Sequence, residues 1–289
     1  VGTQGQWNIV SSGNSPQTLM IGEWGNGTLN IASEGTVTAG GTTVGVNNTG
    51  VGLLNVNGAG AVMNSAALRV GHAGQGTLNI TDAGVVNTAS TGQVATYFDG
   101  TGTVNVNTNG QWNVASNLQV GVTGNGTLNI ASGGQVNGED AISVGTNDRA
   151  LGRVNVDGEG SLLRGTTIDI GAHGDGAVTL RNEGTLALTN GSVLLGLAEG
   201  STGSLNIGAA HEDIAAVAGH LTGTDSVEFG DGNGSLVFNH TDDSATGYLF
   251  NPLISGENGA VIQDAGHTVL TAENSYGGRT QVNGGTLTV

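Results

Sequence analysis

Apolar and polar residues alternate along this chain in short runs that restart after glycine. In Thr28-Leu29-Asn30-Ile31 the apolar residues sit two apart, so Leu29 and Ile31 share one face of an extended segment and Thr28 and Asn30 the other. The alternation restarts at Gly35-Thr36-Val37 and again at Thr43-Val44-Gly45. Later copies repeat that third segment, with Leu68 and Val70 before Gly71, Leu118 and Val120 before Gly121, and Ile168 and Ile170 before Gly171. The pattern predicts three short strands per unit, separated by turns.

The unit recurs down the chain. GNGTLNI at 25–31 returns as GVGLLNV (50–56), GQGTLNI (74–80), GTGTVNV (100–106), GNGTLNI (124–130) and ALGRVNV (150–156). It continues as GDGAVTL (174–180), STGSLNI (201–207), GNGSLVF (232–238) and ENGAVIQ (257–263). The second glycine falls at Gly27, Gly52, Gly76, Gly102, Gly126, Gly152, Gly176, Gly203, Gly234 and Gly259, at intervals of 25, 24, 26, 24, 26, 24, 27, 31 and 25. Three strands in roughly 25 residues bury nothing alone, but stacked at about 4.8 Å each coil covers the next. The expected fold is all-β, a right-handed parallel β-helix (solenoid) of about 10–11 coils of roughly 25 residues.

Two columns orient the coils. Asn30, Asn55, Asn79, Asn105, Asn129, Asn155 and Asn206 take one equivalent outward position, with Thr179 the exception before Val237. In the second segment, Trp7, Val37, Val62, Val86, Trp112, Val136, Leu162 and Leu186 form an apolar column, expected to point inward with both tryptophans in the core. The intervals of 24 and 26 alternate, which suggests a double repeat of fifty residues.

Composition sharpens this picture. Glycine makes up 55 of 289 residues, but it is periodic and interleaved with β-branched residues, so it marks turns and not disorder. The formal net charge of −17 disfavours nucleic acid and anionic membranes as partners. There is no cysteine, which suits a chain that stays unfolded while crossing an oxidising bacterial periplasm. No stretch approaches the roughly 18–20 apolar residues of a membrane helix, and no signal peptide opens the chain. With Val1 inside a turn and Thr286-Leu287-Thr288-Val289 ending on a strand, the sequence is expected to be a piece of something longer.

Three regions are expected. Residues 1–207 are regular coils. Residues 208–258 are less regular and carry surface insertions, including His211–Ala218, the one segment with helical propensity and without a turn glycine, expected as a surface loop with at most one helical turn. Residues 259–289 are the most distinctive. Gly259-Ala260-Val261-Ile262 and Gly266-His267-Thr268-Val269-Leu270-Thr271-Ala272-Glu273-Asn274-Ser275-Tyr276-Gly277-Gly278-Arg279-Thr280-Gln281-Val282-Asn283-Gly284-Gly285-Thr286-Leu287 closely resemble the passenger-associated repeat of bacterial autotransporters. Residues 235–259 resemble the stretch that precedes that repeat in adhesin-type members, those of self-associating and diffuse-adherence type. At Gly277 the sequence departs from the family, where threonine is commoner after the tyrosine. The resemblance implies a Gram-negative outer-membrane protein, exported through the periplasm by type V secretion, whose passenger is displayed at the cell surface and whose C-terminal β-barrel is missing here.

The search for chemistry yields no catalytic constellation, metal site or cofactor. The GDSGS and GDSL nucleophile motifs are absent, since Gly174-Asp175-Gly176 and Gly230-Asp231-Gly232 are not followed by serine. His72, His173, His211, His220, His240 and His267 lack zinc-ligand spacing. Sugar-cleaving β-helix enzymes need clustered carboxylates with a basic residue. Arg149, Arg153 and Arg164 near Glu139, Asp140 and Asp148 read better as a solvated corner than as such a groove. Asn-x-Ser/Thr occurs at Asn26, Asn79, Asn125, Asn190, Asn233 and Asn239, mostly in turns that already explain the asparagine.

Two surface features remain. One is the Asn ladder, flanked by Thr28, Thr77, Thr103 and Thr127, whose stacked amides either stabilise the rod or bind a partner. The other is the pair of bulky turns Glu23-Trp24 and Tyr97-Phe98, three coils apart, which either fold back on the coil or stack on a sugar or partner. The first functional reading is a non-enzymatic passenger for adhesion, autoaggregation or biofilm formation. Its partner is itself on a neighbouring cell, or a host-surface protein or glycan. The second is a stalk projecting an upstream domain; a distant third is a polysaccharide-cleaving enzyme.

Overall fold

The repeats stack in register. The computed structural model describes residues 5–9 and 17–289, the side chain of Asn190 aside; the turn expected at Val1 lies outside them. Among the described residues the strands all pair in parallel, apart from one isolated antiparallel bridge, and successive coils of about 25 residues form a β-solenoid of about ten turns. An 11-stranded sheet takes one strand from each coil, from Asn26–Ile31, Val51–Asn57 and Gln75–Thr81 to Gly259–Ala265 and Arg279–Val282. Its register sets Gly27 against Gly52 and Asn30 against Asn55, then Gly76 against Gly102 and Asn79 against Asn105. A 17-stranded sheet holds the second and third segments of the coils, which fuse in the long strand Thr185–Leu195. That strand pairs with both Leu162–Gly165 and Ile168–Ile170.

The glycine of the motif has a steric cause. A Cβ at Gly76 would lie 2.2 Å from the Gly71 nitrogen and 2.3 Å from the Val44 carbonyl oxygen. The chain leaving each third segment presses on the start of the next strand, and only glycine fits there. That same corner alternates in length. Four residues, Gly71 to Gly74, separate Val70 from Gln75, whereas six, Ala95 to Gly100, separate Val94 from Thr101. The alternation of 24 and 26 is this alternation of short and long corners.

Inward residues form one continuous core. Leu54, Leu78, Val104, Leu128 and Val154 are fully buried, as are Val56, Ile80, Val106, Ile130 and Val156. Val86, Trp112, Leu118 and Val120 from the other two segments join the same core, which at about 25 cal/mol per Å² of apolar surface is the main source of stability.

Two expectations change here, and a third is narrowed. In the second segment, Val37 pairs with Met63 and Val136 with Leu163, so Met63 and Leu163 point inward and Val62 and Leu162 do not. The turns Gly58-Ala59-Gly60 and Gly158-Glu159-Gly160, all four glycines at positive φ, carry one residue more than the corresponding turns and shift the register. Trp112 is fully buried but Trp7 is 45% exposed, because among the described residues its strand pairs on one side only, with Thr36–Ala39. The insertion at 211–218 contains no helical turn. It runs as a loop with a turn at Glu212 (φ 66°) and bridges Arg181 to Ala218 and Ala216 to His240, pairings that extend the backbone against its alanine propensity.

Candidate functional site

The outward amides of the first sheet are joined end to end. Asn55 donates from Nδ2 to Asn30 Oδ1 at 2.7 Å, Asn79 to Asn55 at 2.8 Å, and Asn105 to Asn79 at 2.9 Å. Asn129 donates to Asn105 and Asn155 to Asn129, each at 2.9 Å. Parallel register at one coil per strand spacing brings each amide over the previous one, which is why the ladder forms.

Asn206 does not belong to this exposed face. It is only 3% exposed and donates to Thr179 Oγ1 at 3.1 Å, while accepting from Ser204 at 2.8 Å. The insertion covers this end of the sheet. Asn239 donates to the Ala210 and Asp213 carbonyls at 2.8 and 2.9 Å, and His211 Nδ1 lies 2.7 Å from Asp264 Oδ2. Burial works to raise the Asp264 pKa, but hydrogen bonds from Asn283 and His211 outweigh it and hold the carboxyl below its ordinary value. Above Asn206 the column turns apolar with buried Val237 and Ile262.

A second amide ladder runs along the other sheet. Asn87 donates to Asn64 at 2.9 Å, Asn113 to Asn87 at 2.9 Å and Asn137 to Asn113 at 3.0 Å, with Asn64 reaching Thr38 Oγ1 at 3.5 Å. Its sequence signal is an asparagine directly after each inward residue of the second segment: Met63-Asn64, Val86-Asn87, Trp112-Asn113, Val136-Asn137. Beside it lies a groove of about 490 Å³, from Thr38 and Asn64 to Asn137 and Glu139. A shorter polar row follows, with Gln93 donating to Gln119 at 2.8 Å and Arg69 to Gln93 at 3.1 Å.

The aromatic corners are exposed: Trp24 67%, Tyr97 56% and Phe98 59%. Trp24 sits in a short corner and Tyr97-Phe98 in a long one, so the two turns share a column but not a shape. The Tyr97 ring meets His72 edge-on at 4.5 Å, and the Arg149 guanidinium lies 6.0 Å from the centre of the Phe98 ring. Burial, then the charge of Arg69, lowers the His72 pKa. Among the described residues, no group of three or more His, Asp or Glu side chains is placed to hold a metal ion. The ion pair between an arginine and a carboxylate among them is Arg181–Asp157 at 2.8 Å. No helix is long and apolar enough to cross a membrane among the described residues.

These features define a parallel β-solenoid that carries two outward amide ladders. No family model matches the chain, and no solved structure matches it. The chain is similar to an uncharacterized lipoprotein, YdeK, of Escherichia coli strain K12, with 53% identity over 113 residues. The matched stretch is 38% of this chain and 8% of that lipoprotein, so the chain spans a small part of the length of its curated relative.

Proposed function

We propose that this chain is a non-enzymatic, surface-displayed passenger of the bacterial cell envelope that mediates adhesion or self-association through its first asparagine face. The observation that carries this reading is the continuous amide ladder from Asn30 to Asn155 on a regular sheet. Asn55, Asn79, Asn105 and Asn129 each donate one N–H within the ladder and accept one hydrogen bond. Each amide therefore keeps a second N–H and a second lone pair for a partner. Repeated weak contacts along a rod add up by avidity without a deep pocket. The lipoprotein relative supports an envelope location, and the resemblance of residues 259–287 to the passenger-associated repeat supports surface display.

The test uses bacteria displaying the full-length protein or its N79D/N105D/N129D variant at equal surface level. Self-association through this face requires slower settling of the variant, and moderate salt that speeds wild-type settling by screening two −17 chains. Unchanged settling favours a stalk. That second reading draws on the same ladder, whose amides already stabilise one another within the rod.

A further inference from the structure

We propose that the groove beside the second asparagine ladder binds an extended, uncharged glycan strand. This site lies on the other sheet from the face assigned above and does not depend on that reading.

The groove follows from the bend between the second and third segments of each coil. The residues at the bend, Ala66, Ala89 and Ala115, are exposed and carry nothing beyond Cβ, so the bend stays open as a channel floor. Asn64, Asn87, Asn113 and Asn137 stand along one wall. From Thr38 to Asn137 the groove crosses five coils, about 20 Å at the strand spacing. Arg164 takes the asparagine position in the following coil and ends the run of amides.

The hydrogen-bonding capacity of the wall selects the occupant. Asn87 and Asn113 each donate one N–H to the coil before and accept one from the coil after. Each retains one N–H and one Oδ1 lone pair, so the wall offers a donor and an acceptor at every coil, about 4.8 Å apart. A peptide strand laid along the groove presents like groups on one side every two residues, about 6.8 Å, and falls out of step within two coils. Sugar hydroxyls both donate and accept and turn about their C–O bonds, so they follow a donor–acceptor pair at any repeat. The alanine methyl floor suits the C–H face of a sugar ring. Charge narrows the class further. Among the described residues no cation lines the groove itself; Glu139 stands at the end where Arg164 follows, and with the chain at −17 polyanions such as nucleic acid and uronate polymers are disfavoured.

The experiment titrates the purified 289-residue chain with the extended β-1,4-linked sugars cellohexaose, mannohexaose and chitohexaose, using saturation-transfer NMR and calorimetry. An oligogalacturonate and a neutral extended hexapeptide serve as comparison ligands. Binding of at least one neutral hexasaccharide is expected, weakened at least tenfold in A89Q/A115Q, which fills the floor with exposed uncharged side chains and leaves the circular dichroism unchanged. The N79D/N105D/N129D variant keeps that binding, and A89Q/A115Q keeps wild-type settling, so this site and the adhesive face stand or fall separately. The proposal is overturned if none of the three sugars binds, if the filled groove binds as well as the open one, or if the galacturonate or the peptide binds at least as tightly as the sugars.

Discussion

Gly92 is a glycine because of Trp112. A Cβ at residue 92 would lie 2.7 Å from Trp112 Cζ2, one coil away, and 3.3 Å from a Val114 methyl group. The position of Gly92 is filled by Leu68 in the coil before and by Leu118 in the coil after. The Trp112 ring occupies the volume that a leucine would take, and its Nε1 donates to Thr88 Oγ1 at 3.0 Å within the same core. Large and small residues in adjacent coils thus keep the interior filled without overpacking.

The pair therefore behaves as a unit. Gly92→Leu alone overpacks the core and costs about 1–3 kcal/mol. Trp112→Leu alone opens a cavity and costs about 3–5 kcal/mol, near the range for large aromatic truncations. The double variant restores the packing of neighbouring coils, so its cost is smaller than the sum by about 0.5–3 kcal/mol. Urea midpoints of the four proteins give the coupling; strict additivity would show that the ring does not fill the glycine's place.

Inward and outward positions of one strand also differ in cost. Leu128 is fully buried, and Leu128→Ala costs about 2–5 kcal/mol. Asn129→Ser removes the amide that links Asn105 and Asn155, a loss of about 1–2 kcal/mol because water replaces much of the bonding. Chemical denaturation that gave equal losses would contradict this assignment of faces.

Much of this architecture is legible in the sequence, and the misses have physical causes. The glycine spacing and the column from Asn30 to Asn155 reveal the stack directly, because in-register parallel coils place equivalent residues in contact. At Val62-Met63 and Leu162-Leu163 two adjacent apolar residues satisfy either register, and only the longer glycine turns decide between them. The burial of Asn206 depends on the insertion that follows it in the chain folding back beside it, which the repeat pattern does not record. The second ladder is masked by its ends, since Thr38 and Arg164 interrupt the run of asparagines. The corner aromatics are exposed as side chains, but equal column position does not make Trp24 and Tyr97 equivalent in loop length.

Ala95 is a point of backbone strain. It adopts φ 58° in a column where Gly71 and Gly121 have φ 73° and 70°, and it is fully buried. A left-handed conformation costs a non-glycine residue about 1–3 kcal/mol, whereas glycine adds about 0.5–1 kcal/mol of unfolded-state entropy. Ala95→Gly is expected to raise stability by about 1 kcal/mol on this balance. Calorimetry showing a lower Tm for the variant would mean that the alanine methyl group contributes more by packing than it costs in strain.

Stability also falls in acid through His240. The side chain is fully buried, with Nε2 2.8 Å from Thr268 Oγ1 and its ring 5.3 Å from that of Tyr248. Its Nδ1 has no hydrogen-bond partner among the described residues. Burial lowers its pKa below the ordinary 6.5; the Asp242 carboxylate opposes this, and His267 reinforces it. Asp242 is held below its ordinary value by hydrogen bonds from Ser244, so it stays charged through this range. Tyr248, pushed up to about 12 by burial, stays neutral. As pH drops below 6.5 the unfolded chain takes up a proton on His240 that the folded chain still refuses. The stability present above that pH is lost on the way down to the folded pKa, by up to about 1.4 kcal/mol per pH unit. His72, also lowered by burial, acts in the same direction. Urea midpoints at pH 7, 6 and 5 should therefore decline for the wild type and decline less for His240→Gln, with His72→Gln as a second, separate reduction. A variant that keeps the full wild-type slope would remove His240 as a source of acid sensitivity.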